Sequence, residues 1–151
     1  MRKSVLASFI AGFTLLLAAG PAAARDLSAA LVRAINGART SRGLVPLKVD
    51  RKLTRVARLH SADMLRRHYF DHRDFGARMR ASGARGPAFG EALGWESGFV
   101  VDSIVDSWLA SAEHRPILLR AGFRRIGIGA LAGSFSGTAD ALVVTADFAG
   151  W

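Results

Sequence analysis

The hydrophobic period of this chain changes once, and that change sets its architecture. Up to about residue 119 the apolar residues recur at helical spacing. Beyond it Ile126, Ile128 and Ala130 alternate with glycines, and Leu142 to Phe148 reads as a second strand. The intervening Gly133-Ser134-Phe135-Ser136-Gly137 makes the pair a hairpin. Helices followed by an antiparallel sheet, with no internal repeat or linker, argue for a single α+β domain.

The helical part divides at its capping residues. Asp26 to Arg42 reads as a first helix, capped by Asp26, with Leu27, Leu31, Ile35 and Ala38 at helical spacing and Gly43 at its end. Leu44-Val45-Pro46-Leu47 is an extended connector. Asp50 then caps a second helix reaching about His68. At about 100° per residue, Leu53, Val56, Ala57, His60 and Met64 share one arc of it. Arg51, Arg55, Arg58 and Arg66 fall on the opposite side, so the helix has one buried and one solvated face. Asp74 to Ser82 is a short third helix stopped by Gly83. Ala84 to Gly94, glycine-rich and containing Pro87, reads as loop leading into a short strand near Glu91. Val101, Ile104, Val105, Trp108 and Ala112 mark a further helix. Pro116 permits a turn, and Ile117-Leu118-Leu119 packs inward.

Before the first of these helices, Arg2 and Lys3 precede an apolar run from Val5 to Ala19. Gly20-Pro21 breaks the run, and Ala22-Ala23-Ala24 fits small-residue cleavage. Residues 1–24 therefore read as a signal peptide, since a membrane anchor needs roughly 20 continuous apolar residues. The expected product is a domain of residues 25–151, secreted or periplasmic in a bacterium, with no membrane span after cleavage and monomeric. It contains no cysteine, so packing alone must hold it, unlike many small exported domains.

Charge is uneven. The formal net charge is +9, and residues 51–85 alone carry ten basic and three acidic side chains. That basic middle either faces an anionic envelope component or is a solvated arginine surface. No pattern of interleaved aromatics supports nucleic-acid binding.

Among the candidate functional residues, His72, Glu91 and His114 are separated by 19 and 23 positions, far more than one helical turn. The spacing excludes a self-contained HExxH metal signature and leaves a discontinuous cleft. His60 lies within the apolar arc of the second helix and reads as a core residue. His68 falls at that helix's end, where the dipole favours a cation. His72 and His114 both follow helix ends, where side chains can face a cleft. Glu91 is an isolated carboxylate that needs a partner, in a cleft or in the organisation of its own loop. Trp108 reads as core and Trp95 as cleft rim.

An ordered series of short motifs then points to a family. It runs Asn36-x-x-Arg39, Gly43-Leu44-x-Pro46-Leu47, Asp50-x-x-Leu53, Ala57-x-x-His60-Ser61-x-Asp63-Met64 and Tyr69-Phe70-x-His72. Arg78, Gly83 and Gly90-Glu91 follow, then Trp108-x-x-Ser111-x-x-His114-Arg115-x-x-Leu118-Leu119, Gly127-Ile128-Gly129 and Asp147-Phe148. In this the chain resembles the CAP superfamily, or SCP domains. The resemblance implies an α-β-α sandwich with a central antiparallel sheet flanked by helices. It also implies a shallow cleft with His72, Glu91 and His114 on its polar floor. Some members bind a divalent metal, usually zinc, through the two histidines, and others carry lipids or sterols. By that resemblance His72 and His114 are the expected Zn²⁺ ligands, with Glu91 ligating or orienting.

Two departures bear on this expectation. Ser111 stands where animal and plant members have a second glutamate, with Glu113 and Glu96 as the available substitutes. Ala92 replaces the usual asparagine after the cleft glutamate. Three readings follow: a binding module taking a divalent metal or a small polar ligand, a metal-dependent hydrolase acting on peptide or cell-wall material, and a lipid or sterol carrier. Two imidazoles and a carboxylate could hold zinc with an open position. There is, however, no evident general base beyond Glu91, and Ser61 and Ser111 are nucleophile candidates by type only. No apolar segment is spare for a lipid groove. Binding without catalysis is the leading expectation.

Overall fold

The structure, a computed structural model, describes residues 21–150. The expected signal peptide lies largely outside these residues; its last four positions, 21–24, open the first helix. The elements in chain order are α1 (Pro21–Thr40), β1 (Lys48–Val49), α2 (Arg51–Arg67), α3 (Phe75–Ser82), β2 (Phe89–Ser97), α4 (Val101–Ala110), α5 (Arg115–Leu118), β3 (Phe123–Phe135) and β4 (Thr138–Gly150). Among the described residues, no helix is long and apolar enough to cross a membrane.

Four strands form one sheet in the order β1-β3-β4-β2. β4 pairs antiparallel with both β3 and β2, while the short β1 runs parallel to β3. The period of two puts alternate residues on opposite faces, and each face is closed differently. On one face Ile126, Ile128, Ala130, Val144, Ala146 and Phe148 join Leu31 and Ile35 of α1 and Ile104, Val105 and Trp108 of α4 in one continuous core. On the other lies α2, with α3 beside it. There Gly127 and Gly129 leave no side chain between strand and helix. A Cβ on Gly127 would stand 2.1 Å from the Leu53 carbonyl carbon, and one on Gly129 would stand 2.4 Å from that of Ala57. The helix backbone therefore rests on the strand itself, and the layers make an α-β-α sandwich.

The capping residues behave as their chemistry requires. Asp50 accepts from the amides of Lys52 and Leu53, and Asp74 accepts from that of Ala77. Gly83 ends α3 in the left-handed conformation. α2 buries Leu53, Val56, Ala57, His60 and Met64, as its arc predicts, and adds Ser61.

Four expectations need correction. Asp26 does not cap α1, because the helix already runs from Pro21 and Asp26 lies inside it. The strand expected near Glu91 is not short: β2 extends over nine residues, beginning inside the segment expected as loop, and its glycines are there to admit bulky neighbours. A Cβ on Gly90 would meet the Phe123 ring at 2.9 Å, and one on Gly94 would meet Trp108 at 3.1 Å. The hairpin turn is only Ser136-Gly137, both residues at positive φ, and Gly133 to Phe135 belong to β3. Such a two-residue turn matches the strand twist. Finally, α4 ends at Ala110, so Ala112 lies in the turn after it.

The connector after α1 is fixed by polar side chains of that helix. Asn36 exchanges two hydrogen bonds with the Leu47 backbone. Arg39 is fully buried and donates to the carbonyls of Val45, Leu118, Arg120 and Phe123. One side chain thus ties α1 to the segment entering β3, and α4 and α5 are held above the β2 edge.

Candidate functional site

Three segments meet at the free edge of β2. The turn after α2 supplies Tyr69 to His72, the strand supplies Glu91, and the turn between α4 and α5 supplies Ser111 and His114. The first of these turns is held by the His60 expected in the core. Its imidazole is 3% exposed and bonds the Asp71 carbonyl at 3.0 Å through Nε2. A carbonyl only accepts, so Nε2 carries the hydrogen. Burial, reinforced by Arg78, holds this imidazole below the usual histidine pKa against the opposing pull of Glu91. Tyr69 donates to Asp63 at 2.8 Å and closes the same turn. His60 therefore places His72 without itself facing the cleft.

Glu91 is almost fully buried, and donors approach both of its oxygens. His72 Nδ1 lies 2.7 Å from Oε1, and Arg78 Nη2 donates to Oε2. Because a carboxylate accepts, Nδ1 carries the hydrogen on His72. In the neutral ring Nε2 then keeps a free lone pair, on a side chain 54% exposed.

Beneath this pair lies Asp147, which the sequence reading noted only as part of a motif. It stands directly opposite Glu91 on β4 and is fully buried. Neither of its oxygens meets a donor elsewhere in the protein. Across the strand pair it faces the Glu91 carboxyl, and two facing carboxylates repel unless one is protonated. With His72 and Arg78 donating to Glu91 and nothing donating to Asp147, Asp147 is the better proton holder of the two. Burial first, and then the Glu91 charge, push the Asp147 pKa well above its ordinary value.

His114 is placed from the opposite layer. Ser111 Oγ accepts the amides of Glu113 and His114, and it lies 2.9 Å from His114 Nδ1. With its lone pairs engaged by those amides, the hydroxyl donates to Nδ1, so the neutral ring carries its hydrogen on Nε2. Burial lowers the pKa of His114; Glu113 opposes that, and the charge of His72 adds to it. The two histidines are thus within electrostatic reach of each other and present opposite hydrogen-bonding faces. Beside His114 a cavity of about 290 Å³ is lined by Phe70, Trp95, Glu96, Ser107 and Ser111, among others; His72 is not part of its lining. Trp95 forms its rim, whereas Trp108 is buried and donates to the Leu93 carbonyl.

The fold thus brings His72 and Glu91 into contact and sets His114 across from them. Of the two substitutes for the second glutamate, Glu96 lines the cavity and Glu113 acts on His114 only through its charge. Among the described residues, no three His, Cys, Asp or Glu side chains are placed to hold one ion together. Ser61 is no nucleophile for the cleft: it is buried, donates to the Gly129 carbonyl and accepts from the Thr145 hydroxyl. Sequence reasoning passed over Arg78 and Asp147 as site residues; the available signal for Asp147 was an acid inside an otherwise apolar strand.

Known proteins share this arrangement of elements. YkwD of Bacillus subtilis (strain 168) is 32% identical over 104 residues, covering 66% of this chain and 40% of that protein, so the chain spans well under half of that relative. An extracellular protein containing an SCP domain from Bacillus anthracis superposes with a TM-score of 0.70 at 23% identity, over 85% of this chain and 42% of that one. An outer surface protein from Borrelia burgdorferi does so with a TM-score of 0.69 at 22% identity, over 84% of this chain and 95% of that one. The family model described as cysteine-rich secretory protein, CAP, matches residues 32–148. This cysteine-free chain belongs to the CAP family.

Proposed function

We propose that this chain is an exported binding protein whose cleft takes a small polar ligand between His72 and His114. The observation that carries the reading is the pairing of faces: a free lone pair on His72 Nε2 and an N–H on His114 Nε2, on two rings within electrostatic reach, with a cavity alongside His114. Such a pair recognises a group that both donates and accepts, a hydroxyl or an amide. Glu91 supports it from below by fixing the His72 tautomer. Export is supported by the apolar run before residue 20 and by structural neighbours described as extracellular or outer-surface proteins.

A second reading is a divalent ion held by the two imidazoles alone, with water completing its shell. Their mutual electrostatic reach favours it, and the missing third ligand makes any such site weak.

Calorimetric titration of Zn²⁺ into wild type, His72→Ala and His114→Ala separates the two readings. The ligand reading expects little or no zinc uptake, and it expects nitrogen resonances of both histidines to shift with hydroxyl- or amide-bearing small molecules. Zinc binding that both substitutions abolish would establish the metal instead.

A further inference from the structure

Outside the cleft, a groove of about 540 Å³ lies between α2 and α3. Its walls carry Arg51, Lys52, Arg55 and Arg78, and its apolar lining is Val56, Leu59 and Ala81. No carboxylate lines it. Arg78 is committed to Glu91, and Lys52 Nζ donates to the Gly83 carbonyl. Arg51 and Arg55 are exposed, one helical turn apart, and take part in no ion pair among the described residues. A second cavity adjoins through Arg51 and Lys52 and adds Val49, Asp50, Arg85 and Arg125, the acid being paired with Arg125.

Two properties coincide here that a merely solvated arginine face does not need. One is charge: residues 51–85 balance at +7, whereas residues 86–151, with four basic and seven acidic side chains, balance at −3. Positive charge is therefore densest in the α2–α3 layer. The second is apolar exposure within the positive layer. Leu59 and Val49 are each 62% exposed, in the groove and in the adjoining cavity. A soluble polyanion gains nothing from those two side chains. An anionic bilayer does, because its phosphates can sit between the arginines while Leu59 and Val49 reach the headgroup boundary.

We propose that the α2–α3 groove docks this protein on the surface of an anionic phospholipid membrane. The docking is independent of the cleft and uses no residue of its polar floor except the structural Arg78. The natural absence of cysteine allows a single reporter: Leu59→Cys in the full chain, carrying a polarity-sensitive fluorophore. Its emission is expected to shift to the blue with vesicles containing phosphatidylglycerol, to stay unchanged with phosphatidylcholine alone, and to return as salt is raised.

A label at Asp106→Cys on α4, in the opposite layer, should not shift with either vesicle. Adding Arg51→Glu and Arg55→Glu should raise the lipid needed by about tenfold or more. Both positions are exposed, and an unchanged melting temperature confirms that the variant folds. Three results overturn the proposal: an equal Leu59 shift on neutral vesicles, an unchanged titration in the charge-reversed protein, or the same shift with soluble polyphosphate in place of vesicles.

Discussion

The two faces of the sheet are built on opposite principles. Toward α1 and α4 the core is continuous and apolar except for the buried Arg39, filled by Ile126, Ile128, Phe148, Trp108 and their neighbours. Toward α2 it is split. One cluster gathers around Met64, Leu93 and Val143, another around Leu53, Met79 and Ala149. Buried polar side chains on that same face include Ser61, Thr145, Asp147 and Glu91. The first face supplies cohesion. The second accepts a cost in buried polarity and thereby delivers an oriented carboxylate to the sheet edge, where His72 meets it.

The comparison breaks most visibly at Gly127. Gly127→Ala pushes a Cβ into the α2 backbone, which cannot rotate away as a side chain would. Loss of about 4 kcal/mol or more is expected, read as collapse of the cooperative thermal transition. A folded variant with native melting temperature would show that α2 is free to move off the strand.

A smaller loss is expected at His60. His60→Ala should lower stability by about 1–3 kcal/mol through an unfilled site and the lost bond to Asp71. Denaturant unfolding measures it; a neutral result would mean that the turn after α2 holds itself.

Asp147 tests the polar seam through pH. Its folded pKa lies above the ordinary 3.8, so over that interval the folded state holds a proton that the unfolded chain has released. Stability must then decline as pH rises from about 3.8 through the raised value. Asp147→Asn offers Glu91 a hydrogen-bond donor that has no proton to lose. Its melting temperature should lack that decline, and parallel curves for the two proteins would show that Asp147 is not the protonated partner.

The smallest effect belongs to His72, half-exposed and at the edge. His72→Ala should shift stability by no more than about 0.5 kcal/mol, while removing the cleft's acceptor. Destabilisation larger than that of His60→Ala would reverse the roles assigned to the two histidines.

How much of this could be read in advance depends on which forces write themselves into local sequence. The α2 arc and the caps at Asp50 and Asp74 were legible because helix periodicity and capping are local. β2 was not, since Gly90 and Gly94 look like loop residues until Phe123 and Trp108 are seen to fill the space above them. The five-residue hairpin shrank to two because β3 continues through Gly133 with a register shift before Phe135. The cleft residues His72, Glu91 and His114 were named from family resemblance, yet their bonding was beyond the sequence. Asp147 illustrates why. β4 is buried on both faces for most of its length, so no alternation marks which side the acid takes. Only the register opposite Glu91 discloses it.

The bare backbone contact at Gly127 and Gly129 has a consequence for how such a protein can drift. Where side chains separate a helix from a sheet, each change of residue size resets the gap and tilts whatever the helix carries. Here the spacing is set by main-chain atoms that every substitution elsewhere leaves in place. Residues at Met64, Leu93 or Val143 can grow or shrink while the end of α2, and the His72 turn that follows it, keeps its height above the sheet. The ligand preference of the cleft is thereby free to change one surface residue at a time, on a frame that the rest of the core cannot detune.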